Sequence, residues 1–291
     1  MFNKKISRSF ITFSILLFVL TTTADAAGRK ATRGYNGAVA SSSAIASEVG
    51  VQILRDGGNA IDAAVATAFA MAVTHPTAGN IGGGGFLIYH GADGETAAFD
   101  FREKAPLAAT RDMYLDENGK VINNDIGPID HFSIKAVGVP ATVAGLELAH
   151  ESLGSLVWSD LIAPSVKLAR QGIPITFKLH DDFNNPRRKG WFGQYPSSEK
   201  IFYKASGEPY LPGDLWVQSD LGDTLERIQN NGKEGFYSGK TAELITKFMK
   251  ENDGLITLED LQKYDAIERK PIKNSYRNHE IISMPPPSSG G

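Results

Sequence analysis

Three parts of this sequence carry residue types that could do chemistry: the run from Gly79 to Gly85, the segment Asp100-Phe101-Arg102-Glu103-Lys104, and six histidines. The glycine run reads Gly79-Asn80-Ile81-Gly82-Gly83-Gly84-Gly85. It is not followed by Gly-Lys-Ser/Thr, so it is no phosphate loop. It precedes a strand and lacks the spacing of a dinucleotide fingerprint. Glycines entering a strand mean close backbone approach, either to a ligand or to another packed segment, and residue types alone favour packing. Arg102 offers a planar fork that can grip a carboxylate through two hydrogen bonds. An internal ion pair with Asp100 or Glu103 is the simpler reading of the same residues. The histidines (His75, His90, His131, His150, His180, His279) show no i, i+4 pair and no ligand spacing, so no metal is expected. His75, between Thr74 and Pro76 at a helix end, reads as a structural hydrogen-bonder. No Gly-x-Ser-x-Gly elbow and no cysteine occur, which removes a serine-hydrolase elbow, a thiol nucleophile and any disulfide. No catalytic residue can be named from residue types.

The elements that must position these residues can be read from periodicity and caps. Ser41-Ser42-Ser43 leads into a helix with Ile45, Val49 and Ile53 at four-residue spacing, stopped by Gly57-Gly58. Asn59 caps a helix over 60–73 that is apolar nearly all round, with Asp62 as its one charge, and such a helix is buried. Strands over 86–89 and 96–101 flank the turn Gly91-Ala92-Asp93-Gly94, which predicts a β-hairpin. Alternation then puts Phe101 on one face and Asp100 and Arg102 on the other. Helices follow over 142–153, near 159–170 (closed by Gly172), over 220–230 and over 239–250. Thr257 and Asp260 start another through a variant capping box. Residues 180–215 lack a clean period and read as a long surface excursion. The basic run Arg187-Arg188-Lys189 within it reads as a solvated loop. A short strand over 280–284 leads into Pro285-Pro286-Pro287, expected stiff and extended.

Composition is that of a globular protein, with 42% apolar and 22% charged residues. A formal net charge of −3 gives no reason to expect nucleic acid as a partner. Lys4, Lys5 and Arg8 precede an apolar stretch from Phe10 to Leu20, too short to span a hydrocarbon core of about 30 Å as a helix. Ala24-Asp25-Ala26 then supplies small residues for a signal peptidase. Residues 1–26 are therefore expected to be a signal peptide, with Ala27 the first mature residue. No cysteine follows, so no lipid anchor and no membrane anchor are expected. Export without cysteine fits a bacterial periplasmic or secreted protein. After residue 284 the sequence offers nothing more to pack, which residue types read equally as a flexible tail or as part of something longer.

Five ordered blocks resemble the γ-glutamyltransferase family. They are Gly57-Gly58-Asn59-Ala60-Ile61-Asp62-Ala63-Ala64-Val65; Thr74-His75-Pro76 with the glycine run and Phe86; Asp100-Phe101-Arg102-Glu103; Gly138-Val139-Pro140 with Val143-Ala144-Gly145; and Ser283-Met284-Pro285-Pro286-Pro287-Ser288-Ser289-Gly290-Gly291. The likeness runs from about residue 35 to the last residue, and five blocks in order are far more specific than any one.

The resemblance implies an α/β (α+β) four-layer αββα N-terminal-nucleophile hydrolase fold, made as a precursor that cuts itself into a large and a small subunit. The cut frees a Thr that attacks the γ-glutamyl amide of glutathione or a related substrate. Its own α-amino group can act as base, since such amines titrate near about 8. No cofactor is implied. The arginine of the motif matched by Arg102 holds the substrate's α-carboxylate in that family. The Pro-Pro-Pro-Ser-Ser-Gly-Gly block lies within the family's large subunit, so residues 27–291 are expected to be a truncated large-subunit portion. The Thr and the small subunit are then absent, no catalytic residue lies in this chain, and the chain alone is expected to be inactive. Two other readings stand beside this one: an inactive remnant or non-catalytic secreted fragment, and a related acylase or poly-γ-glutamate-processing enzyme.

Overall fold

The computed structural model describes residues 33–290. The expected signal peptide and the start at Ala27 lie outside them. The chain divides into a first unit ending at Ala38 and a second beginning at Val39. Within the first, residues 33–38 form neither helix nor strand. All that follows concerns the second unit.

Its first helices start where the caps say they should. α1 (Ala44–Arg55) is capped by Ser43, whose hydroxyl accepts from the Ala46 amide. α2 (Ala60–Thr74) begins with a full capping box: Asn59 Oδ1 accepts from the amides of Ile61 and Asp62, and Asp62 Oδ2 accepts from the Asn59 amide at 2.8 Å. α2 packs between α1 and α4 (Trp158–Gln171), and α4 packs in turn on α8 (Ser219–Asn231). A helix with neighbours on several sides needs no polar stripe, and Val65, Ala66, Phe69 and Val73 are fully buried. Asp62 is buried as well. Its carboxylate also accepts from the Ser155 hydroxyl (2.6 Å) and from the Ser155 and Leu156 amides, clamping α2 to the turn after α3 (Thr142–Leu153). Burial pushes the Asp62 carboxyl up, the hydrogen bonds pull it down, and the net effect lies below its ordinary value.

The predicted hairpin is present as β1 (Gly85–His90) and β2 (Thr96–Phe101), antiparallel with Phe86 opposite Asp100 and Ile88 opposite Ala98. A third strand, β5 (Ile267–Arg269), pairs antiparallel with β2. α3 covers one face of this sheet. Ala97, Phe99 and Phe101 point into the helical core, while the other face shows Ile88 and Ile267 at 42% and 41% exposure.

Three expectations fail here. Residues 180–215 are not an irregular excursion; they hold α5 (Phe177–Asn184), α6 (Pro186–Phe192), α7 (Pro196–Phe202) and β4 (Leu215–Trp216), the last paired with β3 (Ile173–Pro174). Helices this short show no period, and proline at the first turn of α6 and α7 reads like a loop signal while it favours helix starts. An aromatic cluster holds them: Phe183 lies 5.0 Å from Trp216 and 5.1 Å from Phe202. The basic run therefore lies on a helix, with Arg188 paired to Asp182 at 3.0 Å and Arg187 over the Trp191 ring. The triple proline is bent as well: residues 286 and 287 form a turn, and the Ser288 amide donates to the Pro285 carbonyl. The expected last strand is there as β7 (His279–Ser283), paired in a hairpin with β6 (Ile272–Tyr276) around Arg277 and Asn278, both at positive φ.

Between α8 and the second half of the sheet run α9 (Glu234–Tyr237), α10 (Gly239–Glu251) and α11 (Leu258–Gln262). Thr257 and Asp260 make the capping box of α11 as expected. Asp260 also accepts from the Leu107 amide at 2.6 Å, tying α11 to the chain just after β2.

Candidate substrate site

The glycine run is a packing device. A Cβ on Gly84 would collide with the Phe101 carbonyl, and on Gly85 it would meet the Phe101 ring at 2.9 Å. Asn80 Oδ1 accepts from the Gly83 amide and the Thr142 hydroxyl, and the Gly83 carbonyl accepts from the Ala141 and Thr142 amides. The run thus joins the end of β2 to the start of α3. Gly82 alone has open space where a Cβ would stand. His75 acts through its main chain: its amide donates to Met71 and its carbonyl accepts from Gly79.

Phe101 anchors the end of β2 against Gly145 of α3, where any side chain would overlap its ring. The next residue, Arg102, leaves the sheet at the rim of a cavity of about 460 Å³. Three cations line it (Arg102, Lys104, Arg269), with three carboxylates (Asp100, Glu103, Asp265) and Tyr264. A larger groove of about 680 Å³ between α1 and α4 holds only carboxylates among its ionisable groups, Glu48, Asp56 and Asp160, and lies apart from Arg102.

Of the two internal partners that residue types suggested for Arg102, Glu103 lies within ion-pair distance of it and Asp100 is taken by another cation. Asp100 is taken by Arg269, whose Nε donates to Oδ2 at 2.7 Å, and by the Arg102 main-chain amide, which donates to Oδ1 at 3.0 Å. Toward Glu103 the Arg102 guanidinium makes only a loose contact at 3.7 Å, and its side chain is 59% exposed. Its fork is therefore open to an incoming anion. The Arg102 carbonyl accepts from the Tyr264 hydroxyl at 2.9 Å. The Tyr264 ring lies 5.9 Å from Tyr237 and nearly parallel to it, and the Tyr237 hydroxyl donates to the Pro140 carbonyl at 3.0 Å. Lys104 Nζ sits over the Tyr264 ring at 4.9 Å and donates to the Asp265 carbonyl. Burial pushes both phenols up, and around Tyr264 the carboxylates of Asp100, Glu103 and Asp265 push further, so both hydroxyls stay protonated donors.

Sequence reading singled out Arg102 but not Tyr264 or Arg269, which the structure places in the same cavity. Tyr264 follows a short helix and Arg269 sits in a strand of three residues, too short for alternation to show. Among the described residues no group of three or more His, Cys, Asp or Glu could hold a metal, and no helix is long and apolar enough to cross a membrane.

The family model described as Gamma-glutamyltranspeptidase matches residues 46–291. The chain belongs to the γ-glutamyltranspeptidase family. The glutathione hydrolase proenzyme of Escherichia coli (strain K12) is 47% identical over 259 residues, which cover 89% of this chain and 44% of that one. Among solved structures, the γ-glutamyltranspeptidase of Helicobacter pylori superposes with a TM-score of 0.85 at 48% identity, covering 89% of this chain and 72% of that chain. The enzyme of Pseudomonas nitroreducens complexed with L-DON gives 0.80 at 40% identity, covering 88% and 73%. The chain thus spans less than half the length of the curated glutathione hydrolase proenzyme it matches. Its fold is the mixed α/β, N-terminal-nucleophile hydrolase class expected of this family, of which the described residues supply helices packed on one face of an antiparallel sheet.

Proposed function

We propose that this chain is the substrate-gripping part of a γ-glutamyltransferase that takes the γ-glutamyl group from glutathione and related compounds and passes it to water or to an amine. Arg102 binds the α-carboxylate of that group. The observation that carries this is the open guanidinium fork of Arg102 at the rim of a charged cavity, its nearest carboxylates either engaged elsewhere or loosely placed. A bidentate Arg–carboxylate contact is directional, so it sets where the γ-amide lies relative to a nucleophile. The nucleophile in this reading is a Thr at the N-terminus of a small subunit, supplied by sequence other than these residues; residues 27–291 are large subunit and carry no catalytic residue. The preparation is exported, with residues 1–26 removed, to the periplasm or medium of a bacterium.

A contact present in both ground and transition states acts on KM more than on kcat. In the active enzyme containing this chain, Arg102→Ala should therefore lower kcat/KM for glutathione by about ten- to a hundredfold, mostly through KM. Arg102→Lys should restore only part, because an ammonium cannot reproduce the fork. Self-cleavage should survive both changes. Unchanged glutathione kinetics in Arg102→Ala would sink the assignment. The chain over 27–291 by itself should release no glutamate from glutathione, and N-terminal sequencing of the exported product should begin at Ala27.

A further inference from the structure

We infer that Asp100 and Tyr264 are positioning residues for Arg102, holding its main chain from both sides so that its fork points into the cavity. This rests on the reading of Arg102 as the carboxylate grip. Arg102 lies one residue past β2, where no ladder hydrogen bond from a neighbouring strand fixes the backbone. Its two peptide groups are instead taken by side chains: the amide by Asp100 Oδ1 at 3.0 Å and the carbonyl by the Tyr264 hydroxyl at 2.9 Å. With both peptide planes held, the direction of the Cα–Cβ bond is set, and only the side-chain torsions remain free.

Both holders are themselves held. Asp100 is almost fully buried, and its second oxygen takes the Arg269 guanidinium from β5. Tyr264 carries the Lys104 ammonium over its ring and has the Tyr237 ring nearly parallel beside it. Arg269 has a second effect. A buried carboxylate two residues from Arg102, left without a partner, would compete with substrate for the Arg102 fork. Its engagement by Arg269 satisfies that carboxylate and leaves the fork open.

The test uses the active enzyme containing this chain and two anilides: the γ-glutamyl anilide, and the 4-aminobutanoyl anilide, which keeps the amine and lacks the α-carboxylate. Tyr264→Phe removes one hydrogen bond and little volume. It should raise KM for the γ-glutamyl anilide about three- to tenfold with kcat nearly unchanged. It should have no effect on the 4-aminobutanoyl anilide, and none on the γ-glutamyl anilide in an Arg102→Ala background. Asp100→Asn keeps an acceptor for the Arg102 amide but loses the ionic hold of Arg269, and should show the same pattern more weakly; it serves if Tyr264→Phe fails to mature. Equal losses on both anilides, or full additivity with Arg102→Ala, overturn the inference and make these residues merely structural. If Arg102→Ala alone leaves KM for the γ-glutamyl anilide unchanged, the grip itself is wrong and this inference goes with it. If Arg102→Ala raises KM while Tyr264→Phe acts alike on both anilides, this inference fails and the grip stands.

Discussion

At the scale of single residues, two buried acids show how position decides role. Asp100 and Asp62 are both buried carboxylates. Asp62 faces donors from the start of α2 and from the turn after α3, with no substrate cavity beside it. Its loss leaves four donors from Asn59, Ser155 and Leu156 without their acceptor. Asp62→Ala should therefore destabilise the fold by about 3 kcal/mol, read as a lower denaturation midpoint. The pH sign follows from its lowered pKa. Its contribution is full above the ordinary value of 3.8 and fades as pH falls through the lower folded value. Asp62→Asn should flatten that acid limb; an unchanged limb would show that the carboxylate is no part of it. The sequence marked Asp62 as the odd charge in an apolar helix, which is a strong signal. It could not assign Asp100, because Arg269, the cation that takes this carboxylate in place of Arg102, lies 169 residues away. Proximity along the chain favoured an Asp100–Arg102 pair, which does not form.

Helices with a cap and three or more turns were legible to within a residue or two, because caps and period 3.6 are local properties. The short α5, α6 and α7 were not, since they are held by aromatic contacts with one another and with β4 that no window contains. β5 and β6 escaped for a different reason: β5 has only three residues, and β6 is exposed nearly throughout and shows no apolar alternation. The join between α8 and α9 supplies a test at this scale. Glu147 of α3 accepts from the Lys233 amide at 2.7 Å in that turn. Burial pushes its carboxyl up, as do Glu151 and Glu234, against the Lys233 amide and ammonium that pull it down, and the net is a raised pKa. Between the ordinary value of 4.5 and the higher folded value, the unfolded chain gives up its proton first, so stability falls as pH rises through that window. Glu147→Gln keeps the acceptor oxygen and should remove this fall. Its melting temperature relative to wild type should climb from pH 4 toward neutrality. A constant difference across that range would refute the assignment.

On the scale of the whole molecule, the sheet is dressed on one side. α3 and the helices behind it bury Ala97, Phe99 and Phe101, whereas Ile88 and Ile267 stand exposed on the other face. The β6–β7 hairpin adds Tyr276 and Ile281, also exposed. Apolar area of this kind, next to strands with unpaired edges, favours association. Expressed as residues 27–291, the chain should self-associate in light scattering, and replacing Ile88 and Ile267 together with Lys should reduce that without lowering helix content. The family and the order of its blocks were legible from the sequence, because glycines and prolines sit where backbones touch. The face left open was not, because alternation in β1 and β2 is read equally well by a sheet covered on one side or on two.

The partners that complete the Arg102 cavity come from far along the chain: Tyr264 is 162 residues from Arg102, and Arg269 is 169 from Asp100. The β1–β2 hairpin needs only its own turn and can form within microseconds. Closing a loop of more than 150 residues waits until the intervening helices have condensed and shortened the path. A chain emerging from its N-terminus therefore carries Arg102 on a formed hairpin long before anything fixes its direction. On the proposed role of Arg102, anion recognition is then a property acquired at the end of folding, and a ligand held there would report that the distant parts of this chain have already closed on one another.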